Sequence, residues 1–154
     1  MKPVHSSPSK LDRQKGAVLI EYALMLPLLV LVFLAIINLG LVVHEHQVLQ
    51  NAAREGARFS ALPRNQLGPS NPTGSLAEIQ NRVVQYAALE HVTINPTEVT
   101  VNQSWLIAIG GGQVIYGSAV TIQHPRAFLL PGAGLLPYGG LTLTARAVFG
   151  NLYP

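Results

Sequence analysis

No cysteine occurs anywhere in the 154 residues. Its absence excludes disulfides, thiolate nucleophiles and cysteine-ligated metal sites, so any exported domain of this chain is held by packing alone. Aspartate is nearly absent too: Asp12 is the sole example, and no pair of carboxylates is spaced for acid/base work. Lysine stops at Lys15. Charged residues make up 11% of the chain and hydrophobic ones 49%, where ordinary soluble domains carry about a quarter charged. Nucleophile motifs are missing, and the Gly110-Gly111-Gly112 triplet lacks the lysine and the following helix of a phosphate loop. These absences argue against an enzyme and leave no cofactor to hold. His44, Glu45 and His46 resemble a metal cluster only on paper, because helical residues two apart do not share a face. His5, His91 and His124 are scattered, and no metal site is expected.

The formal charge of +3 and a pI near 9.5 invite a nucleic-acid reading, but the location of the charge excludes it. Lys2, Lys10, Arg13 and Lys15 face only Asp12 in the first sixteen residues, and beyond them six arginines balance six glutamates. A duplex-binding protein needs a basic stripe on its folded part. No nucleic-acid partner is expected.

What the chain does have is one long apolar run, Lys15 to Val43, KGAVLIEYALMLPLLVLVFLAIINLGLVV. As a helix it spans roughly 40 Å, and a bilayer core needs about 30 Å. It is also longer than the apolar part of a secretory signal peptide, with no small-residue cleavage site just after Val43. The expectation is a single transmembrane helix over residues 17–43, behind a basic cytoplasmic leader at 1–16. Residues 1–15 have no apolar period and are expected to be disordered. The positive-inside rule places the N-terminus in the cytoplasm and the remainder outside it, in the periplasm or beyond.

Glu21 lies inside this run. Eighteen Leu, Ile, Val or Phe residues between Val18 and Val43 favour insertion by roughly 5–11 kcal/mol, against about 3 kcal/mol for one acid at the helix centre. Insertion wins. Two readings of Glu21 stand on position alone: a functional intramembrane acid, or a side chain that snorkels to the headgroups. Pro27 deletes one backbone hydrogen bond and is expected to bend the helix.

The helix is expected to continue as an extracytoplasmic extension over 44–61. Ala53, Gly56, Ala57 and Ser60 follow i, i+3, i+4, i+7 spacing and form a stripe of small residues open to close packing. Glu55 and Arg58 are spaced to form an ion pair. Residues 62–74 read as a Pro/Gly/Asn loop. Residues 75–154 read as a small α+β domain. Its helix runs from Ser75 to about Glu90, with a capping box at Ser75 and Glu78 and an apolar face of Leu76, Ile79, Val83, Tyr86 and Ala87. A β-hairpin follows, turning on the glycine triplet. Val99, Val101, Trp105, Ile107 and Ile109 are expected on one face of its first strand, interrupted by Gln103, and Val114, Tyr116, Val120 and Ile122 on one face of its second. A third strand runs from Leu141 to Phe149, making a roughly three-stranded antiparallel sheet covered by helix on one side. Between the last two strands, residues 124–140 read as an apolar loop. Its Phe128, Leu129, Leu130, Leu135 and Leu136 either dock on a membrane or partner or cover the domain's own core.

Taken together, these residues resemble a known pattern. A basic stretch, Gly16, then AVLI, Glu21-Tyr22 and a long apolar helix is similar to a type IV prepilin of the tight-adherence (Flp/Tad) subclass. EYALMLPLLVLVFLAIINLG followed by Asn51-Ala-Ala-Arg-Glu-Gly-Ala-Arg58 closely resembles the TadE-like family of minor pseudopilins, and Leu-Thr-Leu-Thr-Ala at Leu141 to Ala145 is a further, weaker likeness. The chain departs from the pattern at His44-Glu45-His46, where relatives are often basic or tyrosine-bearing. The resemblance implies cleavage by a prepilin peptidase between Gly16 and Ala17. It implies that Glu21 neutralises the free amine of a neighbouring subunit's Ala17, with Tyr22 beside it. It also implies partnership with other pilin or pseudopilin subunits, with an inner-membrane pilus assembly platform and with the lipid bilayer. Localisation would be single-pass in the cytoplasmic membrane, with incorporation into a pilus open. Cutting after Gly16 would remove every lysine and all of the net charge. The rival expectation is an uncleaved, signal-anchored extracytoplasmic scaffold of a secretion system, which needs neither Gly16 nor Glu21.

Overall fold

The computed structural model describes residues 10–62, 74–127 and 140–150, with the side chains of 10–15, 17, 74 and 75 outside the description. Helix α1 covers Lys10–Ser60, α2 covers Gly74–Leu89, and a short 3-10 turn at Pro96–Glu98 leads into β1 (Val99–Gly110), β2 (Gln113–Ala127) and β3 (Gly140–Gly150). The strands form one antiparallel sheet in the order β1-β2-β3. The α+β arrangement expected from the sequence, a long apolar N-terminal helix with one further helix and three antiparallel strands, is the one observed.

The chain divides into two compact units, Met1–Leu39 and Gly40–Pro154. In the first, α1 presents large apolar side chains outward all round: Leu19, Leu24 and Leu29 are 68%, 74% and 72% exposed. Its most apolar eighteen residues have a mean hydropathy of 2.9, enough in length and composition to cross a membrane. In water such a surface would be an aggregation liability, and in hydrocarbon it costs nothing. The helix begins at Lys10, earlier than expected. Leu11, Arg13, Gln14 and Lys15 are good helix formers, and no Pro or Gly intervenes until Gly16, so an established helix propagates backward through them at little cost. Pro27 lies inside the continuous helix.

In the second unit the last third of α1 and all of α2 cover one face of the sheet. The core is built from Val48, Leu49, Ala52, Ala53 and Ala57 of α1, Ile79, Val83 and Ala87 of α2, and Val99, Val120, Ile122, Leu143, Ala145 and Ala147 of the sheet. Gln50 donates to the Arg146 carbonyl at 2.8 Å and Gln80 to the Val99 carbonyl at 3.0 Å, tying each helix to a different edge strand. The β3 alternation is as expected, with Leu143, Ala145 and Ala147 inward.

Two expectations are corrected. The proposed single apolar face of β1 is split by a β-bulge. Val99 and Val101 pair with Ile122 and Val120 on the core side, but two residues, Gln103 and Ser104, stand between Asn102↔Ala119 and Trp105↔Gly117. The extra residue reverses the parity, so Trp105 and Ile107 face away from the helices. The Ser104 amide, displaced from the ladder, donates to the Asn102 side chain at 2.9 Å. Residues 124–127, read as loop, are instead the end of β2, paired with Leu143, Thr142, Leu141 and Gly140. Pro125 is tolerated there because the β1 pairing ends at Val99↔Ile122, which leaves one side of β2 as an edge among the described residues. Residues 63–73, the capping side chain of Ser75, and Phe128 to Leu136 lie outside the description.

Helix α2 ends in a Schellman motif: the Val92 amide donates to the Ala87 carbonyl and the His91 amide to the Ala88 carbonyl, at 3.0 and 3.1 Å. His91 occupies the left-handed position with φ 62°, where glycine is the usual residue. His91→Gly is expected to raise the stability of the full chain in detergent by about 1 kcal/mol, read as a higher melting temperature by circular dichroism; an unchanged or lower value would show that the His91 side chain contributes more than its backbone costs.

Candidate functional site

The residues singled out by sequence fall on α1 in two places. Gly16, Ala17, Glu21 and Tyr22 lie in its apolar part. Glu21 is exposed and Tyr22 is 67% exposed. No described atom lies within 4 Å of the place where a Cβ on Gly16 would stand. A glycine within a helix costs about 1 kcal/mol relative to alanine, and nothing sterically near Gly16 offsets that cost.

Gly56 is the opposite case. A Cβ there would meet Val83 Cγ2 at 2.3 Å and Val120 Cγ1 at 3.5 Å. With Ala53 and Ala57 fully buried beside it, the small-residue stripe lets α1 approach both α2 and β2 at side-chain contact distance. Ser60 completes the stripe and is also fully buried. Its hydroxyl accepts from Ser118 at 2.5 Å and from Gln103 at 2.8 Å, and Gln103 also donates to the Ser60 carbonyl at 3.3 Å. Gln103, which interrupts the apolar pattern of β1, therefore satisfies one of the last carbonyls of α1. The stripe thus packs inside this chain.

Glu55 lies near the stripe, but its carboxylate is held by Arg82 of α2 at 3.0 Å, in place of the expected pairing with Arg58. Arg82 also lies 5.9 Å over the Phe59 ring. A partner on a packed neighbouring helix, steadied by an aromatic face, competes well with an exposed i, i+3 neighbour, and neither arrangement is worth more than a few tenths of a kcal/mol. Asn51, Arg54, Glu55 and Arg58 line a shallow groove of about 270 Å³ with Tyr86 and Phe149.

A charged cluster at the other end of this helical segment was not legible in the sequence. His124 Nδ1 lies 2.7 Å from Glu98 Oε2, and its Nε2 lies 3.2 Å from Glu45 Oε1. Arg126 also pairs with Glu45, and Asn95 donates to Glu98 at 3.0 Å. All four charged side chains are 12–16% exposed. Each imidazole nitrogen faces a carboxylate, and both can donate only when the ring is the imidazolium. The cluster then holds two cations and two anions and is neutral. Glu45 comes from α1, Glu98 from the 3-10 turn, and His124 and Arg126 from β2. The members are up to 81 residues apart in number, so no spacing could announce them. His44 and His46 are exposed. Among the described residues no group of three His, Asp or Glu side chains is disposed to hold a metal ion.

Two outcomes follow from this geometry. Gly56→Ala gains helix propensity but overpacks against Val83 and Val120, and is expected to destabilise the chain by about 1–3 kcal/mol in urea titration; a gain in stability would mean that α2 is free to yield. Burial by itself pushes the Glu98 carboxyl up, but the hydrogen bonds from His124 and Asn95 and the charge of His124 outweigh it, and the carboxyl sits below the ordinary value of 4.5. A depressed carboxyl stabilises the fold above its unfolded value and loses that contribution as pH falls through the folded one. Melting temperature is thus expected to fall on acidification below about 4.5, and His124→Ala to lower it at neutral pH and flatten the acid limb; identical acid limbs would remove His124 as the cause.

Residues 16–58 match the model of the family described as TadE-like protein. The match opens at Gly16, takes in Glu21 and Tyr22, and closes at Arg58, the end of the Asn51 to Arg58 motif. No curated protein matches the chain, and no solved structure does. Through residues 16–58, a segment that supplies both the apolar helix and the small-residue face of the α+β core, the chain is similar to the TadE-like family.

Proposed function

We propose that this chain is a pseudopilin of a tight-adherence pilus system, cut by a prepilin peptidase between Gly16 and Ala17 and then assembled laterally through its apolar helix. The observation that carries the reading is the pairing of Gly16 with Glu21 at the head of a TadE-like segment. Neither residue has a packing reason in the chain itself: Gly16 has open space where a Cβ would stand, and Glu21 is an exposed acid on an apolar helix. A free amine at Ala17 of a neighbouring subunit supplies what Glu21 lacks. An isolated carboxylate is costly in hydrocarbon, and a cationic partner removes most of that cost.

The apolar helix holds the subunit in the cytoplasmic membrane before assembly, with the basic leader on the cytoplasmic side and the α+β unit outside. The leader sets topology and is read by the peptidase. The partners are the peptidase, other pilin or pseudopilin subunits and the membrane assembly platform. The protein's role is mechanical, without catalysis of its own.

Intact mass and N-terminal sequencing of the membrane-extracted protein, made alongside its native peptidase, test the first step. A new terminus at Ala17 is expected; an intact chain, with the peptidase active on another prepilin, overturns cleavage and leaves the anchored scaffold. Glu21→Gln is expected to leave cleavage intact and to reduce piliation severely, counted by electron microscopy. Normal piliation would remove Glu21 from assembly.

A further inference from the structure

Among the described residues of the α+β unit, two arginines and two glutamates are left without an ion pair or a ring contact. Glu45 and Glu98 belong to the cluster with His124 and Arg126, Glu55 holds Arg82, and Arg146 lies 3.8 Å over the Trp105 ring. Arg54 and Arg58 remain. They are exposed one turn apart on α1, a spacing at which like charges repel, and Arg54 donates to Asn51 Oδ1 at 3.3 Å. Both line the groove of about 270 Å³ with Asn51, Glu55, Tyr86 and Phe149. Because Glu55 is already held by Arg82, the groove carries two uncompensated positive charges beside two aromatic rings.

The unpaired acids are Glu78, near the start of α2, and Glu90, just after its end; both are exposed. All six glutamates of the chain lie among the described residues, and Asp12 and Glu21 belong to the first unit, so no carboxylate side chain of the α+β unit is left out of this count. Glu90 differs from Glu78 in its neighbour. Leu89 is 78% exposed, more than any large apolar residue of the membrane-competent stretch of α1. An acid beside an exposed leucine is the complement of two arginines beside two aromatic rings.

We propose that the Leu89–Glu90 corner of one copy of this chain docks into the Arg54–Arg58 groove of a second copy, the carboxylate between the two guanidinium groups and the leucine against Tyr86 and Phe149. Guanidinium and carboxylate form strong, charge-assisted hydrogen bonds. Tyr86 and Leu89, three residues apart, are neighbours on the surface of α2, so groove and corner share one side of the unit. A two-fold arrangement then makes each contact twice and closes at a dimer. Exposed ion pairs contribute little singly; here the pairing is doubled, leucine burial is added, and copies anchored in one bilayer meet at a high effective concentration. The inference uses the apolar helix as an anchor and needs neither cleavage at Gly16 nor Glu21.

The test uses the full chain in phosphatidylcholine liposomes. Having no cysteine of its own, the chain takes a single dye at Thr97→Cys, an exposed position on the 3-10 turn and outside the groove. Donor-labelled and acceptor-labelled copies are expected to transfer energy, and unlabelled chain added at constant dye density to suppress the transfer. Arg58→Glu alone and Glu90→Arg alone are each expected to weaken association about tenfold or more, with an unchanged circular dichroism spectrum. Mixed together, the two variants are expected to recover the transfer, because the reversed groove of one meets the reversed corner of the other while their unaltered groove and corner also meet. Should either reversal unfold the chain, Arg58→Gln and Glu90→Gln are read in its place, each expected to weaken association. No transfer by the wild type, variants that associate as the wild type does, or charge-reversed variants that fail to recover on mixing overturns the proposal. So does transfer that is lost when phosphatidylglycerol is mixed into the bilayer, which would assign the two arginines to anionic headgroups.

Discussion

The approach of α1 to its neighbours at Gly56 is the contact on which the α+β unit depends. One missing side chain lets Val83 of α2 and Val120 of β2 meet the same turn of helix. The layers are otherwise lined with short residues: Ala52, Ala53 and Ala57 on α1, Ala87 on α2, Ala145 and Ala147 on β3. Close-packed interiors tolerate little change in volume, and a core this shallow gains its contacts through proximity of backbones. The tyrosine and phenylalanine nearby, Tyr86 and Phe59, are only partly buried at its margin.

That constraint orders the polar features as well. With α1 drawn against the sheet, the last turn of α1 lands beside the bulge, where Ser60, Ser118 and Gln103 bond one another. The start of the same segment lands beside the end of β2, where Glu45, His124, Arg126 and Glu98 compensate each other's charge. Each end of the helix–sheet contact is thus fixed by a polar group whose partners come from other elements. Buried polar groups of this kind contribute specificity of register more than net stability, and both sites oppose sliding of α1 along the strand.

α1 serves two environments with one backbone. From Val18 to Leu39 its large apolar side chains face outward. From Val48 onward its inward face is small and apolar, and its outward face carries Asn51, Arg54 and Arg58. Apart from the donor that Pro27 removes, a helix satisfies its backbone hydrogen bonds within its own segment, in hydrocarbon and in water alike. The TadE-like segment spans both halves, so lipid-facing and core-facing demands are written into the same stretch of chain.

By itself the sequence determined everything that depends on local composition and period. Eighteen aliphatic or phenylalanine residues within 26 positions dictate a membrane-competent helix; 3.6-residue spacing placed Ile79, Val83 and Ala87 on one buried face; strict alternation placed Leu143, Ala145 and Ala147 on another. The motif running from Gly16 to Arg58 was readable as a family pattern for the same reason, being contiguous. What only the tertiary structure decided is whatever joins distant segments. Gln103 looked like a flaw in an apolar face until the bulge set it against the end of α1. Residues 124–127 looked like loop because Pro125 breaks the strand pattern, and only the early end of β1 makes that proline acceptable. Glu55 took Arg82 over Arg58 because α2 packs alongside. Local pattern reports which face of an element is apolar, but pairing register and the partners of charged groups are set by which elements come together in space.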